Sequence, residues 1–179
     1  TSGVAVSNVE CRVVDPETGE DQDVGGRGEL WVRGPMVMKG YLNNEEATAE
    51  TIDGDGWLHT GDVAFLDEAG HYSIVDRLKE LIKYNGFQVP PAELEALLIT
   101  HPSVADVAVI GVRDEAAGEL PKAFVVLSPS ASLTLDEVQT FVGEHLVSYK
   151  QIRLLEMTDV IPKSASGKIL RRELRNKES

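Results

Sequence analysis

The sequence is short of several things, and each shortage closes off a class of protein. Cysteine is the first: Cys11 stands alone among 179 residues. The chain therefore has no internal disulfide to form, and a reducing, cytoplasmic setting is expected. Long apolar runs are also missing. Hydrophobic residues make up 42% of the chain, enough for a core, yet no run approaches the roughly 20 residues of a membrane span. The opening TSGVAVSNVE has neither a basic start nor an apolar stretch, so it does not read as a secretory leader. Positive charge is scarce: 17 Lys and Arg face 30 Asp and Glu, for a net charge of −13. That balance argues against general binding to nucleic acid or to an anionic membrane. His59, His71, His101 and His145 are scattered and share no metal-ligand spacing with one another or with Cys11. Asp53-Gly54-Asp55-Gly56 starts like a calcium loop but lacks the third acidic ligand and the closing Glu, so it reads as a turn. There is no nucleophile elbow, dinucleotide fingerprint, repeat or low-complexity tract.

What is present divides into two parts near Asp76 to Leu78. Residues 1–76 read as β-rich and barrel-like. Val9 to Val14 is a strand candidate followed by the turn residues Asp15 to Gly19, and Asp21 to Gly28 is a polar loop. Glu29 to Arg33 puts Leu30 and Val32 on one face. Glu45 to Thr51 is a short helix, and Val63 to Leu66 with Tyr72 to Val75 flanks a hairpin turn at Asp67 to Gly70. Residues 77–179 read as a small α+β domain with a short central sheet flanked by helices. Pro91 suits a first helical turn, and Leu94, Leu97 and Leu98 share a face behind it. Strands are expected at Asp106 to Val112, Ala123 to Leu127 and Ile152 to Met157. Thr134 and Glu137 have capping-box spacing ahead of the stripe Val138, Phe141, Val142 and Leu146. Pro162 to Gly167 is a loop, and Ile169 to Arg175 a last helix.

Three stretches carry chemistry. In VDRLKELIKYNGFQVPPAELE, Asp76 and Arg77 end a β-type run, and Lys79 and Lys83 follow. Gly86 sits in a polar turn, and Gln88 precedes a double proline that opens a helix. Cations, a glycine and a helix start close together suit a polyanion such as ATP or coenzyme A. In PKSASGKILRREL, Lys168 ends a small-residue loop. Pro162 and Ile169 rule out a Walker A loop, but a lysine on such a loop can neutralise a phosphate or polarise a carbonyl. The tail from Lys163 to Lys177 is basic in an acidic protein, with Glu173 its one acid, which suggests a local anion site or a solvated helix. In GWLHTGDV, Asp62 follows a glycine where a carboxylate can accept two ribose hydroxyls; a plain turn aspartate is the competing reading.

Taken in order, GWLHTGD, VDRLKELIKYNGFQVPPAELE and PKSASGKILRREL closely resemble the C-terminal part of the adenylate-forming acyl-CoA synthetases. The branch is similar to 4-coumarate–CoA ligases, fatty acyl-CoA synthetases and luciferase-like enzymes. The resemblance extends over essentially the whole chain, including GELWVRGPMVMKGYLNNEEAT. It implies an AMP-forming acid–thiol ligase that joins a fatty or aromatic acid to ATP as acyl-AMP, then rotates its small domain to transfer the acyl group to coenzyme A. Carried over, Asp62 holds the AMP ribose and Arg77 contacts the ribose or phosphate region. Lys79 is the hinge, and Lys168 bridges ATP phosphate and the acyl carboxylate. Lys83 and Gln88 serve the thioester-forming state, and Gly86 lies beside the pantetheine channel. Asn85 departs from the lysine that relatives often carry. The resemblance also implies Mg2+ with the ATP, for which this chain offers no identifiable ligand.

On this reading residues 1–76 are the last β-rich part of a large domain and residues 77–179 the whole mobile domain. The family's phosphate loop, aromatic-Gly-x-Thr-Glu segment and acyl pocket lie upstream of the motifs seen here. The missing large domain is then a required partner, and the isolated chain is expected to be inactive. Two alternatives stay open: an adenylation domain that loads a carrier-protein thiol, which the KYNGFQVPPAELE version disfavours, and a non-catalytic regulatory or interaction domain.

Overall fold

The computed structural model describes residues 2–178. The chain divides into two compact units, one up to Lys79 and one from Glu80 onward. The division falls after Lys79 rather than after Asp76 because β4 holds Asp76 and Arg77 in register with β3.

In the first unit, β1 (Glu10–Val14), β2 (Arg27–Arg33), β3 (Leu58–Leu66) and β4 (Tyr72–Arg77) form a four-stranded antiparallel meander in sequence order. The expected barrel-like segment is thus a sheet with β1 and β4 at its two ends. Its turns follow the side chains that favour them. The Asp15 carboxylate accepts from the backbone N–H of Glu17 and Thr18, and that of Asp67 from Ala69 and His71. Helix α1 (Glu45–Thr51) is capped by Asn44, whose side chain accepts from Ala47 N–H. Val13, Val14, Trp57, Val63 and Ala64 are buried. Strand β3 begins earlier than its apolar run suggests, and so takes in His59 to Asp62.

In the second unit, a 3-10 turn at Leu78–Glu80 leads into a hairpin of β5 (Ile82–Tyr84) and β6 (Phe87–Val89). Then come α2 (Pro91–Leu98), β7 (Val104–Asp114), β8 (Gly118–Leu127), α3 (Leu135–Gly143), β9 (Leu154–Met157) and α4 (Arg171–Arg175). Strand β8 is central. It pairs antiparallel with β7 along its length, with β5 at Gly118, and in parallel with β9. The α3 capping box is present: Thr134 N–H donates to the Glu137 carboxylate and Glu137 N–H to the Thr134 hydroxyl. The Thr134 N–H holds the Glu137 carboxyl below its ordinary pKa.

Both faces of this sheet are buried. Val107, Val109, Ala123 and Val125 pack with Leu94 and Leu98 of α2 and with Val138 and Val142 of α3. Ala108, Ile110 and Phe124 face the other way, against Ile161 and Leu174. The run from Val107 to Ile110 is therefore a two-sided core strand, which is why it lacks polar alternation.

Candidate active site

The structure arranges the singled-out residues in three local groups. The first is at the end of β3. Asp62 lies opposite Arg77 in the β3–β4 ladder, and Arg77 Nε is 3.0 Å from Asp62 Oδ1. Asp62 is half-buried while the Arg77 side chain is 69% exposed, so the guanidinium keeps most of its donors in solvent. Asp62 belongs to a bulge. Glu29 of β2 pairs with Val63 but Trp31 pairs with His59, which leaves Thr60, Gly61 and Asp62 outside the β2 ladder. The Thr60 hydroxyl donates to Leu30 O at 2.7 Å and accepts from Asp62 N–H at 3.1 Å. Gly61 has φ of +70°, where an L side chain is disfavoured.

The closure of this bulge depends on Glu29, which sequence reasoning missed. It is 7% exposed. Its Oε1 accepts from Gly61 N–H at 2.8 Å and its Oε2 from Trp31 Nε1–H at 2.8 Å. Putting Leu30 and Val32 on the inner face assigns Glu29 and Trp31 to solvent by alternation. The signal that points the other way is the acid two residues before a tryptophan, on one strand face, with an indole donor to satisfy it. A cleft of about 580 Å³ opens beside the bulge, with Glu29, His59, Thr60, Gly61, Arg77 and Lys79 among its lining residues. His59 stacks on Trp31 with ring centroids 3.9 Å apart. Nearby, burial opposes ionisation of Asp53, but hydrogen bonds from Trp57 N–H, His59 and Asp55 N–H outweigh it and hold the carboxyl below its ordinary value. Asp53 thus closes a turn, as its Asp-Gly repeat suggests. Lys79 is exposed in the 3-10 turn that follows β4, where the first unit ends.

The second group is the β5–β6 hairpin. Lys83 and Gln88 are direct cross-strand partners, so both side chains leave the same face of the ribbon, and both residues are exposed. Lys83 N–H donates to Glu119 Oε2 at 2.8 Å. The turn is Asn85-Gly86, with φ of +48° and +79°. Asn-Gly is a strong hairpin signal, and it explains an asparagine here in backbone terms: asparagine tolerates the left-handed region better than most residues. The lysines four apart do not share a helix, since Lys79 is in the 3-10 turn and Lys83 in β5. Phe87 beside the tip stacks on Tyr149 at 4.5 Å.

The third group is the tail. Lys168 is exposed and lies in a tight turn, not at a helix start, because α4 begins at Arg171. Ser164 N–H donates to Lys168 O at 2.8 Å, and Lys168 N–H to the Ser164 hydroxyl at 3.2 Å. Half of the tail's six basic residues are used for docking. Lys163 pairs with Asp106, Arg171 with Glu95 and Arg175 with Glu80, each at 2.6 Å. Those three cations are matched within the fold rather than left for an anion. Among the described residues, the Lys168 ammonium has no acidic partner within ion-pair distance. The hairpin residues Ile82 and Val89 pack with α2 and α3, whereas Ile169 and Leu174 pack against the opposite sheet face. Among the described residues no group of three or more His, Cys, Asp or Glu could hold a metal ion, and no helix is long and apolar enough to cross a membrane.

The chain as a whole is similar to known proteins. The AMP-binding enzyme C-terminal domain family matches residues 93–168, and the AMP-binding enzyme family matches residues 1–42. The chain belongs to the adenylate-forming, AMP-binding enzymes. It is 57% identical to 4-coumarate–CoA ligase 1 of Arabidopsis thaliana over 175 residues, covering 98% of this chain and 31% of that relative. It is 56% identical to 4-coumarate–CoA ligase 1 of Glycine max over 176 residues, covering 98% of this chain and 60% of that relative. The chain thus spans only part of these relatives, about a third of the first and three fifths of the second. Among solved structures it is similar to ATP-bound MatB from Rhodopseudomonas palustris, with a TM-score of 0.90 and 34% identity over 98% of this chain and 35% of that one. It also resembles o-succinylbenzoate CoA synthetase from Bacillus subtilis in complex with its acyl-adenylate, with a TM-score of 0.84 and 34% identity over 95% of this chain and 34% of that one.

Proposed function

We propose that the chain is the C-terminal part of an ATP-dependent acyl-CoA ligase. It works with a preceding large domain, and 4-coumarate is the first acid to test. The observation that carries this reading is 57% identity over 98% of the chain to a protein named 4-coumarate–CoA ligase. In the first half-reaction a carboxylate oxygen attacks the α-phosphorus of ATP, and pyrophosphate leaves. Asp62 accepts the ribose hydroxyls, and Arg77, still largely exposed while paired to it, reaches the ribose or phosphate. Lys168 brings a mobile ammonium to offset the negative charge that builds at the phosphate, and its lack of an acidic partner supports that role. In the second half-reaction the thiol sulfur of coenzyme A attacks the acyl carbonyl, and AMP leaves. Lys83 and Gln88 then act as one cross-strand pair, with Gly86 beside the pantetheine arm and Lys79 as the pivot. Two lysines carried on different faces of one small domain can serve two steps that one lysine could not. Mg2+ accompanies ATP in this reading and is held by groups outside this chain. A cytoplasmic setting belongs to the same proposal, and fractionation of the native host tests it.

The test uses the full-length enzyme and its two half-reactions. Lys168→Ala should suppress ATP–pyrophosphate exchange about a hundredfold or more, the scale for losing a transition-state charge contact. Thioester formation from supplied acyl-AMP should be nearly spared. Equal losses in both halves overturn the division of labour. Substantial acyl-CoA synthesis by residues 1–179 alone overturns the need for the preceding domain.

A further inference from the structure

We infer that Glu29 is a positioning residue for Asp62, acting through Gly61 by closing the β3 bulge; its consequence for catalysis rests on the reading of Asp62 as a nucleotide contact. Glu29 is 7% exposed, and its carboxylate has two donors, one on each oxygen: Gly61 N–H from 32 residues away and Trp31 Nε1–H from two residues away, both at 2.8 Å. An acid that deep is costly unless its lone pairs are satisfied, and charge-assisted bonds of this kind are directional. The geometry is specific to the bulge. Thr60, Gly61 and Asp62 have no ladder partners in β2, so their backbone needs other anchors. Thr60 supplies one by bonding Leu30 O and receiving Asp62 N–H. Glu29 supplies the other at Gly61, whose φ of +70° turns the strand so that Asp62 meets Arg77. Without the Glu29 contact, the Gly61 amide would lose its acceptor within the protein, and the Asp62 carboxylate would lose its fixed origin.

The two oxygens also make the inference testable by conservative change. Glu29→Gln keeps one oxygen for Gly61 but turns an NH2 donor toward the Trp31 indole N–H, so two donors meet. Trp31→Phe removes that indole donor and keeps an aromatic ring against His59. The experiment measures two things in the full-length enzyme: hydrogen exchange at the Gly61 amide, and the KM and kcat for ATP in pyrophosphate exchange. Glu29→Gln should speed Gly61 exchange and raise the KM for ATP by about tenfold, the scale of losing one hydrogen bond to a charged group. Glu29→Gln with Trp31→Phe should recover most of both effects. Glu29→Ala should show neither bond and no rescue by Trp31→Phe; if it does not fold, the Gln pair carries the test. Unchanged Gly61 exchange in folded Glu29→Gln overturns the inference, as does a double variant no better than Glu29→Gln. Faster Gly61 exchange with an unmoved ATP KM also overturns it, provided Asp62→Ala raises that KM. If Asp62→Ala leaves the ATP KM unmoved, the nucleotide reading itself falls and takes the catalytic consequence with it. The Asp62 control therefore separates the two failures.

Discussion

Gly86→Ala separates a glycine needed by the backbone from a glycine needed by a ligand. Gly86 has φ of +79°, and a Cβ built there meets nothing within 4 Å. The substitution therefore creates no clash, and its cost is the left-handed backbone alone. That cost is about 1–2 kcal/mol for an L residue. Stiffening of the unfolded chain offsets about 0.4–1 kcal/mol of it. The net loss is about 1 kcal/mol, a fall of roughly 5 °C in the melting temperature of a unit this size. The assay has an internal control: Trp31 and Trp57 are the only tryptophans, and both lie in the first unit. Tryptophan fluorescence should stay unmoved, while amide exchange across residues 82–89 accelerates and the second transition by circular dichroism shifts. Asn85→Gly, which relaxes φ of +48° without adding a side chain, should be neutral or slightly stabilising. In the full-length enzyme the empty space around the Gly86 Cα matters separately. Gly86→Ala should raise the KM for coenzyme A and leave that for ATP alone. A stability loss above about 3 kcal/mol would mean that the tip is not open as described, since strain at one residue does not reach that size. No loss would mean that the turn is not left-handed at 86. A KM for coenzyme A that stays level with a normal stability loss would refute the ligand role and keep the turn.

Two further outcomes concern how the second unit is held. Burial disfavours the charged form of Lys122, but hydrogen bonds to Glu156 and Glu178, at 2.7 and 2.6 Å, win and raise its pKa above the ordinary lysine value. A raised folded pKa gives stability that is complete below the unfolded value of about 10.4 and lost as pH climbs through the folded one. Denaturant melts of the second unit should weaken above about pH 10, and Lys122→Met should flatten that slope; an identical slope in Lys122→Met refutes the assignment. Arg171 is 16% and Glu95 13% exposed, and Glu95 also accepts from Val109 N–H at 2.8 Å. Arg171→Ala removes two hydrogen bonds to that carboxylate, and it should cost about 2–3 kcal/mol in urea melts, below the full value for a buried pair because some water reaches it. A loss under about 0.5 kcal/mol, the range of exposed pairs, refutes a docking role for the tail pair.

What the sequence made legible follows from how local each signal is. The Thr134 box, the Asn44-capped helix α1 and the Asp67 hairpin are written within a few neighbouring residues, and they stand where expected. The β5–β6 hairpin was equally local, in Asn85-Gly86. The lysines on either side mask that turn signal in the sequence, because they suit an anion site as well as a strand. Registers are another matter. That Lys83 faces Gln88 follows at once from the two-residue turn, since a slip of one residue would send the two side chains to opposite faces. That Asp62 faces Arg77 does not, because two irregularities intervene, one between Glu29 and Trp31 and one between Val63 and Ala64. Bulges are set by side chains from another strand, and here by a carboxylate 32 residues away from the amide that it holds. The tail shows the same limit in charge. Its cations read as a ligand patch until Asp106, Glu95 and Glu80, all distant in sequence, are seen to take Lys163, Arg171 and Arg175. Among the described residues Lys168 shares the lack of an acidic partner with Arg172 and Lys177, and it stands apart from them by its place on the Ser164–Lys168 turn. In the chain alone it is one more lysine; in the structure it is a cation held on a turn, with its charge still to be matched.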